Sequence, residues 1–158
     1  MRLYVIRHGK AEKDAPSGRD DQRPLAPKGR EQAQYLATQL KAGKRPLEHK
    51  PKVILSSTAI RAADTAKIIA EVMGMKVTFE EALSPESETS DVYSLIIGLV
   101  KHTESALVVG HNPALEKIVA KFGGVDELRT GELSSLNIIQ SAGKFRGEEI
   151  GRVRLESE

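Results

Sequence analysis

Short apolar runs alternate along the chain with stretches whose apolar residues recur at helical spacing. Leu3 to Ile6 is the first run. It stops at Arg7-His8-Gly9 and predicts a buried strand that ends in a turn. Ala11 to Pro24 is polar and charged, the pattern of a surface loop. Pro27 then opens a helix with Ala33, Leu36, Ala37 and Leu40 on one face and Gly43 as its stop. Lys44 to Lys52 is a basic connection broken by Pro46 and Pro51. Val53 to Leu55 predicts a second strand, and Ser57 or Thr58 is a candidate cap for a helix over 59–73, with Ala62, Ala66, Ile69 and Met73 in register and Gly74 beyond its end. Met75 to Phe79 reads as a third strand.

Glu80 to Asp91 reads as an acidic loop. Val92, Leu95, Ile96 and Leu99 then give a helix over 92–100. Ala106 to Val109 predicts a fourth strand ending in Gly110-His111-Asn112-Pro113, and a short helix follows over 114–122, ended by Gly123-Gly124. Leu136 to Gln140 and Arg152 to Leu155 predict two strands joined by a glycine-rich connection, a hairpin at a sheet edge. No internal repeat, low-complexity segment or linker interrupts the series. Strands alternating with helices predict an α/β sandwich with a mostly parallel central sheet. Ligands of such sheets sit at the carboxyl ends of the strands. Three predicted strands end there in Arg7-His8-Gly9, in Ser56-Ser57 and in Gly110-His111-Asn112, so these residues are expected on one edge.

Composition narrows the possibilities. A length of 158 residues, 39% hydrophobic and 29% charged, suits one domain over 1–158 with a real core. There is no Trp, and three Tyr and three Phe offer little for stacking on single-stranded nucleic acid. The net charge of +2 comes from 24 basic and 22 acidic residues that are interspersed, so neither a nucleic-acid nor a membrane partner is expected. The absence of Cys excludes disulfides, thiolate nucleophiles and Cys-ligated zinc. The run Leu3–Ile6 is too short for a signal-peptide core, and no stretch approaches the roughly 20 apolar residues of a membrane span. A cytoplasmic protein is expected.

Arg7, His8, Arg61 and His111 are the residues whose convergence would carry chemistry. Two guanidiniums match phosphate oxygens with planar forks. A neutral imidazole is a competent nucleophile at phosphorus, and a second histidine can donate to a phosphoryl oxygen as charge shifts. Gly9 would let the backbone approach closely beside the nucleophile. Singly, each has a plainer reading: Arg61 as a solvated helix charge, His111 before Asn-Pro as turn chemistry, Arg-His-Gly as an ordinary strand end. Metal binding by the histidines is disfavoured, because no carboxylate set or i, i+4 His pair accompanies them. His49 and His102 have no such context and read as surface residues.

Val5-Ile6-Arg7-His8-Gly9 resembles the signature of the histidine phosphatase superfamily, also called phosphoglycerate mutase-like. Arg23-Pro24-Leu25 followed by Lys28-Gly29-Arg30-Glu31-Gln32-Ala33 resembles the family's Arg-Pro-Leu-Thr-x-x-Gly-x-x-Gln-Ala segment. The stretch from Ser56 to Ala66 resembles its second arginine motif, and Val108 to Pro113 its second histidine motif. Short length and Arg-Pro-Leu resemble the SixA-type phosphohistidine phosphatases most. The resemblance implies a three-layer α/β/α sandwich, His8 as the phosphorylated nucleophile, a pocket of Arg7, Arg61 and His111 with Arg23 as a further member, and neither metal nor cofactor. It implies as substrate a phosphorylated protein or a small phosphorylated metabolite. The chain departs from the family at Ala26, where Thr is usual, which predicts a lost helix cap. No residue aligns as the general acid that many members carry after the third strand; Glu80, Glu81, Glu86 and Glu88 are the candidates. Three functions therefore stand: a phosphohistidine phosphatase, a broad-specificity phosphomonoesterase or mutase, and a non-catalytic phosphate-binding regulatory module of the same fold. The intact quartet weighs against the third.

Overall fold

The computed structural model describes residues 1–156. Six strands, β1 (Arg2–Arg7), β2 (Val53–Ser56), β3 (Val77–Phe79), β4 (Ser105–Gly110), β5 (Leu133–Ser141) and β6 (Lys144–Val153), form one sheet in the order β3-β2-β4-β1-β5-β6. The first four are parallel to one another, and β5 and β6 run antiparallel at one edge. Four helices connect them: α1 (Pro27–Ala42), α2 (Ile60–Met73), α3 (Thr89–Val100) and α4 (Ala114–Lys121).

Both faces of the sheet are covered, which is why β1 and β4 read as continuous apolar runs. Leu3, Val5, Ala106 and Val108 pack with Ile96, Leu115, Ile118 and Phe122 of the α3–α4 side. Tyr4, Ile6, Leu107 and Val109 point the other way, into Leu36, Leu40, Ala62, Ala66 and Ile69 of α1 and α2. This is a three-layer α/β/α sandwich with a mostly parallel sheet. Among the described residues no helix is long and apolar enough to cross a membrane.

Several boundaries differ from the sequence pattern, each for a local reason. The segment read as a glycine-rich connection is mostly strand: β6 begins at Lys144 and ends at Val153, not Leu155, and the turn is confined to Ala142 and Gly143, both at positive φ. Gly147 fits β6 because a Cβ there would lie 2.5 Å from the Cβ of Phe122. Strand β3 is shorter than expected, three residues from Val77. The acidic loop holds a 3-10 turn over Glu81–Leu83 that buries Leu83. Helix α3 starts earlier, at Thr89, because the Glu88 N–H donates to the Asp91 carboxylate at 2.9 Å. Helix α1 is preceded by Ala26, which makes no side-chain cap bond, and Pro27 sets its first turn.

Candidate active site

The parallel register of β1 and β4 pairs Arg7 with Gly110, so His8 and His111 emerge side by side. The His8 N–H donates to the Gly110 carbonyl at 3.1 Å, and the two imidazole rings lie 5.1 Å apart. Strand β2 ends beside them: Ser56 pairs with Val109, and the Ser57 N–H donates to the Val109 carbonyl. In the first turn of α2, Arg61 is 5% exposed, comparable with His8 at 7% and His111 at 6%. Residues more than a hundred apart in sequence thus share one edge, the carboxyl edge of the parallel strands. His49 and His102 are exposed elsewhere.

The loop carrying His8 is clamped from below. The Gly131 N–H donates to both the Arg7 and His8 carbonyls, at 3.0 and 2.9 Å. Gln32 accepts the Lys10 N–H at 2.9 Å and donates to the Thr130 carbonyl. A Cβ on Gly9 would lie 2.6 Å from the Gly29 carbonyl oxygen, and one on Gly29 would lie 2.1 Å from that of Lys10. The Gly9 N–H is taken by Thr65 Oγ1. The close approach that Gly9 permits is therefore to helix α1, and its amide is committed to protein. Gly29, Gln32 and Thr65 support the site, and their roles are through-space contacts that spacing alone does not show.

The tautomer of His8 follows from its partner. Its Nδ1 lies 2.7 Å from the Gly9 carbonyl oxygen, which can only accept. Nδ1 therefore carries the proton, and Nε2 presents a lone pair. Burial first, then the charges of Arg61, Arg7 and Arg23, push this imidazole down to about 4, against the upward pull of the Gly9 bond. His111 is pushed down to about 3, chiefly by burial and then by His8 and Arg61. Both histidines are neutral at physiological pH. Ser57, read from sequence as a helix cap, instead meets His111 Nε2 with its Oγ at 2.9 Å while accepting the Ala59 N–H. Helix α2 begins after Ala59, without a side-chain cap.

The cations around His8 are incompletely satisfied. Arg7 donates once, to the Leu128 carbonyl at 3.3 Å. Arg61 donates through its two terminal nitrogens to the carbonyl and carboxylate of Asp20, at 2.9 and 3.1 Å. Arg23 meets the other Asp20 carboxylate oxygen through Nε at 3.1 Å, without hydrogen-bond geometry. Buried side-chain nitrogens without a hydrogen-bond partner include Arg7 Nε, Arg23 Nε, Arg61 Nε and His111 Nδ1; outside this group only Arg2 Nε and Asn112 Oδ1 share that state among the described residues. With the Ser57 hydroxyl donating to His111 Nε2, Nδ1 carries the proton, and it joins Arg7 Nε and Arg61 Nε as N–H groups near His8 that can receive an oxyanion. Among the described residues no three or more His, Asp or Glu side chains cluster as metal ligands would. Glu81, Glu86 and Glu88 are exposed and Glu80 half-buried, and none bonds through its side chain to the quartet.

The family model described as the histidine phosphatase superfamily (branch 1) matches residues 3–86, a span holding Arg7, His8, Arg23 and Arg61. Among solved structures, the protein histidine phosphatase SixA complexed with tungstate aligns with a TM-score of 0.83 at 22% identity, covering 98% of this chain and 97% of that one. An Agrobacterium tumefaciens protein assigned as a phosphohistidine phosphatase SixA aligns with a TM-score of 0.79 at 27% identity, over 96% of both chains. A mycobacterial glucosyl-3-phosphoglycerate phosphatase aligns with a TM-score of 0.70 at 18% identity, over 94% of this chain and 96% of that one. Comparison with curated proteins finds no match.

Proposed function

The chain belongs to the histidine phosphatase superfamily (branch 1), and on that premise we propose that it is a metal-independent phosphohistidine phosphatase, the whole chain acting as one catalytic domain. The observation that carries the reading is the cluster of buried side-chain nitrogens without a hydrogen-bond partner, Arg7 Nε, Arg61 Nε and His111 Nδ1, with the Asp20-paired Arg23 beside them, close to the His8 imidazole whose Nε2 lone pair is free to attack.

His8 Nε2 attacks phosphorus in line, forming a P–N bond as the bond to the leaving group breaks with its electron pair. The Nδ1 proton stays on the ring, where the Gly9 carbonyl supports the cationic phosphoimidazole. Water then displaces the imidazole, which leaves neutral, and phosphate is released. Arg7, Arg23, Arg61 and His111 hold the phosphoryl oxygens through both steps, so charge is stabilised without reorganisation. The lack of any bond between the quartet and Glu80, Glu81, Glu86 or Glu88 favours a leaving group that departs with little proton donation. A phosphoramidate nitrogen does so; an alkoxide needs donation commonly contributing about 10²–10⁴-fold.

The test compares kcat/KM for a phosphohistidine protein, an aryl phosphate and an alkyl phosphate, with and without EDTA. Phosphohistidine and the aryl ester are turned over, the alkyl ester poorly, and chelation changes nothing. A labelled, quenched enzyme carries an acid-labile, base-stable adduct on His8. Similarity to a glucosyl-3-phosphoglycerate phosphatase supports a small-molecule monoesterase as the second reading. It wins if the alkyl ester is the best substrate and substitution of one of the four glutamates abolishes that activity selectively.

A further inference from the structure

Asp20 lies in the polar loop between β1 and α1, at the start of a 3-10 turn over Asp20–Gln22. Its side chain is 65% exposed, yet it is the carboxylate to which both Arg61 and Arg23 turn. The contact to Arg61 has two points. NH1 donates to the Asp20 main-chain carbonyl and NH2 to its carboxylate, and Arg61 itself is buried. A guanidinium is rigid and planar, so two bonds at its terminal nitrogens fix the plane of the whole group. The remaining edge, headed by the buried and unpartnered Nε–H, is thereby set in one orientation. Burial alone would raise the Asp20 carboxyl, but Arg61 and Arg23 hold it below its ordinary value, so the anchor is ionised at neutral pH.

We propose that Asp20 is a positioning residue of the phosphatase site, holding the terminal edge of Arg61 and drawing Arg23 to the same point so that the free edge of Arg61 is pre-oriented for the phosphoryl group. The inference rests on the phosphatase reading above. An exposed ion pair contributes little to stability; the consequence here is geometric, because transition-state contacts lose value steeply with small misplacements. Asp20 also brings negative charge beside an anion site. If that charge dominated, removing it would tighten anion binding; if positioning dominates, removing it weakens the binding of a transition-state mimic.

The experiment uses the full chain with Asp20→Ala, Asp20→Asn and Asp21→Asn, the last in the same loop but paired only with exposed Arg19. Measured are kcat and KM on an aryl phosphate, inhibition by orthovanadate, and Tm. Asp20→Ala is expected to lower kcat/KM by about tenfold or more, mostly in kcat, and to weaken vanadate by a similar factor at unchanged Tm. Asp20→Asn keeps an acceptor oxygen and recovers most of the loss, and Asp21→Asn matches wild type. Vanadate inhibition that is unchanged or tighter in Asp20→Ala overturns the proposal while leaving the phosphatase reading intact. A wild-type chain that neither turns over the ester nor binds vanadate overturns both.

Discussion

Strand β1 carries an arginine at each end, and the fold treats the two in opposite ways. Arg2 is 6% exposed, and its NH1 reaches the Pro46 carbonyl and Glu48 at 2.8 Å each and Ser135 Oγ at 3.4 Å, with NH2 on the second Glu48 oxygen. The hydrogen bond from Arg2 holds the Glu48 carboxyl down to about 2. Arg7, five residues along, has one carbonyl partner and, among the described residues, no carboxylate in ion-pair contact. Burial moves its guanidinium below its ordinary value, the direction expected of a cation short of counter-charge. At the amino edge both terminal nitrogens of the arginine are taken by structural partners, its buried Nε alone lacking one; at the carboxyl edge the guanidinium has a single carbonyl partner. The same residue type is thus tied into the structure at one end and, in the proposed function, serves recognition at the other.

The contrast breaks first at His8, the proposed nucleophile. His8→Ala is expected to lower kcat/KM by a factor on the order of 10³ or more, whereas Arg2→Ala stays within about twofold of wild type; steady-state kinetics on an aryl phosphate reads both. Next come the oxyanion donors. Arg7→Ala and Arg61→Ala should each cost on the order of 10² in kcat/KM, and Arg7→Ala should do so with no fall in Tm, because Arg7 has a single carbonyl partner and no counter-charge in contact among the described residues. Equal loss of activity and stability would erase the distinction between the two edges. Arg2→Ala inverts the pattern: loss of a charged donor to several acceptors should cost about 2 kcal/mol, or roughly 4–8 °C in Tm by thermal melting.

The smallest effect sharpens the same comparison through pH. His8 and His111 have folded pKa values of about 4 and about 3, below the ordinary 6.5. Between 6.5 and those values the unfolded chain binds more protons than the folded one. Stability is therefore complete above 6.5 and declines as pH falls through that window. His8→Ala should flatten the decline, measured as Tm against pH. In the proposed mechanism neutral His8 is the attacking form, so kcat/KM should show no His8 inflection near 6.5 and should fall only as pH approaches about 4.

What the sequence made legible was whatever burial writes continuously. Leu3–Ile6 and Ala106–Val109 are apolar because both sheet faces are covered, and the motifs at their ends followed. Strand β6 was expected only over Arg152 to Leu155, and its first part was read as connection because its exposure alternates there and two glycines and five charged residues lie in the strand, so an edge strand imitates a loop. The start of α3 was missed because its first turn is polar and owes its form to Asp91. Arg7, His8, Arg61 and His111 are brought together as their strand ends suggested. Ser57 was read as a cap because only the β2–β4 register shows His111 beside it. Asp20 gave no signal at all: its partner Arg61 is 41 residues away, and a loop aspartate has no periodicity to betray it.

The position of β1 also governs the order in which the molecule can be built. Its two neighbours in the sheet are β4, from residue 105, and β5, from residue 133. On a ribosome β1 therefore has no ladder partner on either side until about a hundred further residues have emerged. Until then Leu3–Ile6 is an apolar segment with both edges open, the kind of sequence that holdase chaperones bind. The loop bearing His8 is fixed later still, when Gly131 arrives to take the Arg7 and His8 carbonyls, so nascent chains shorter than that carry His8 without the clamp that fixes its loop.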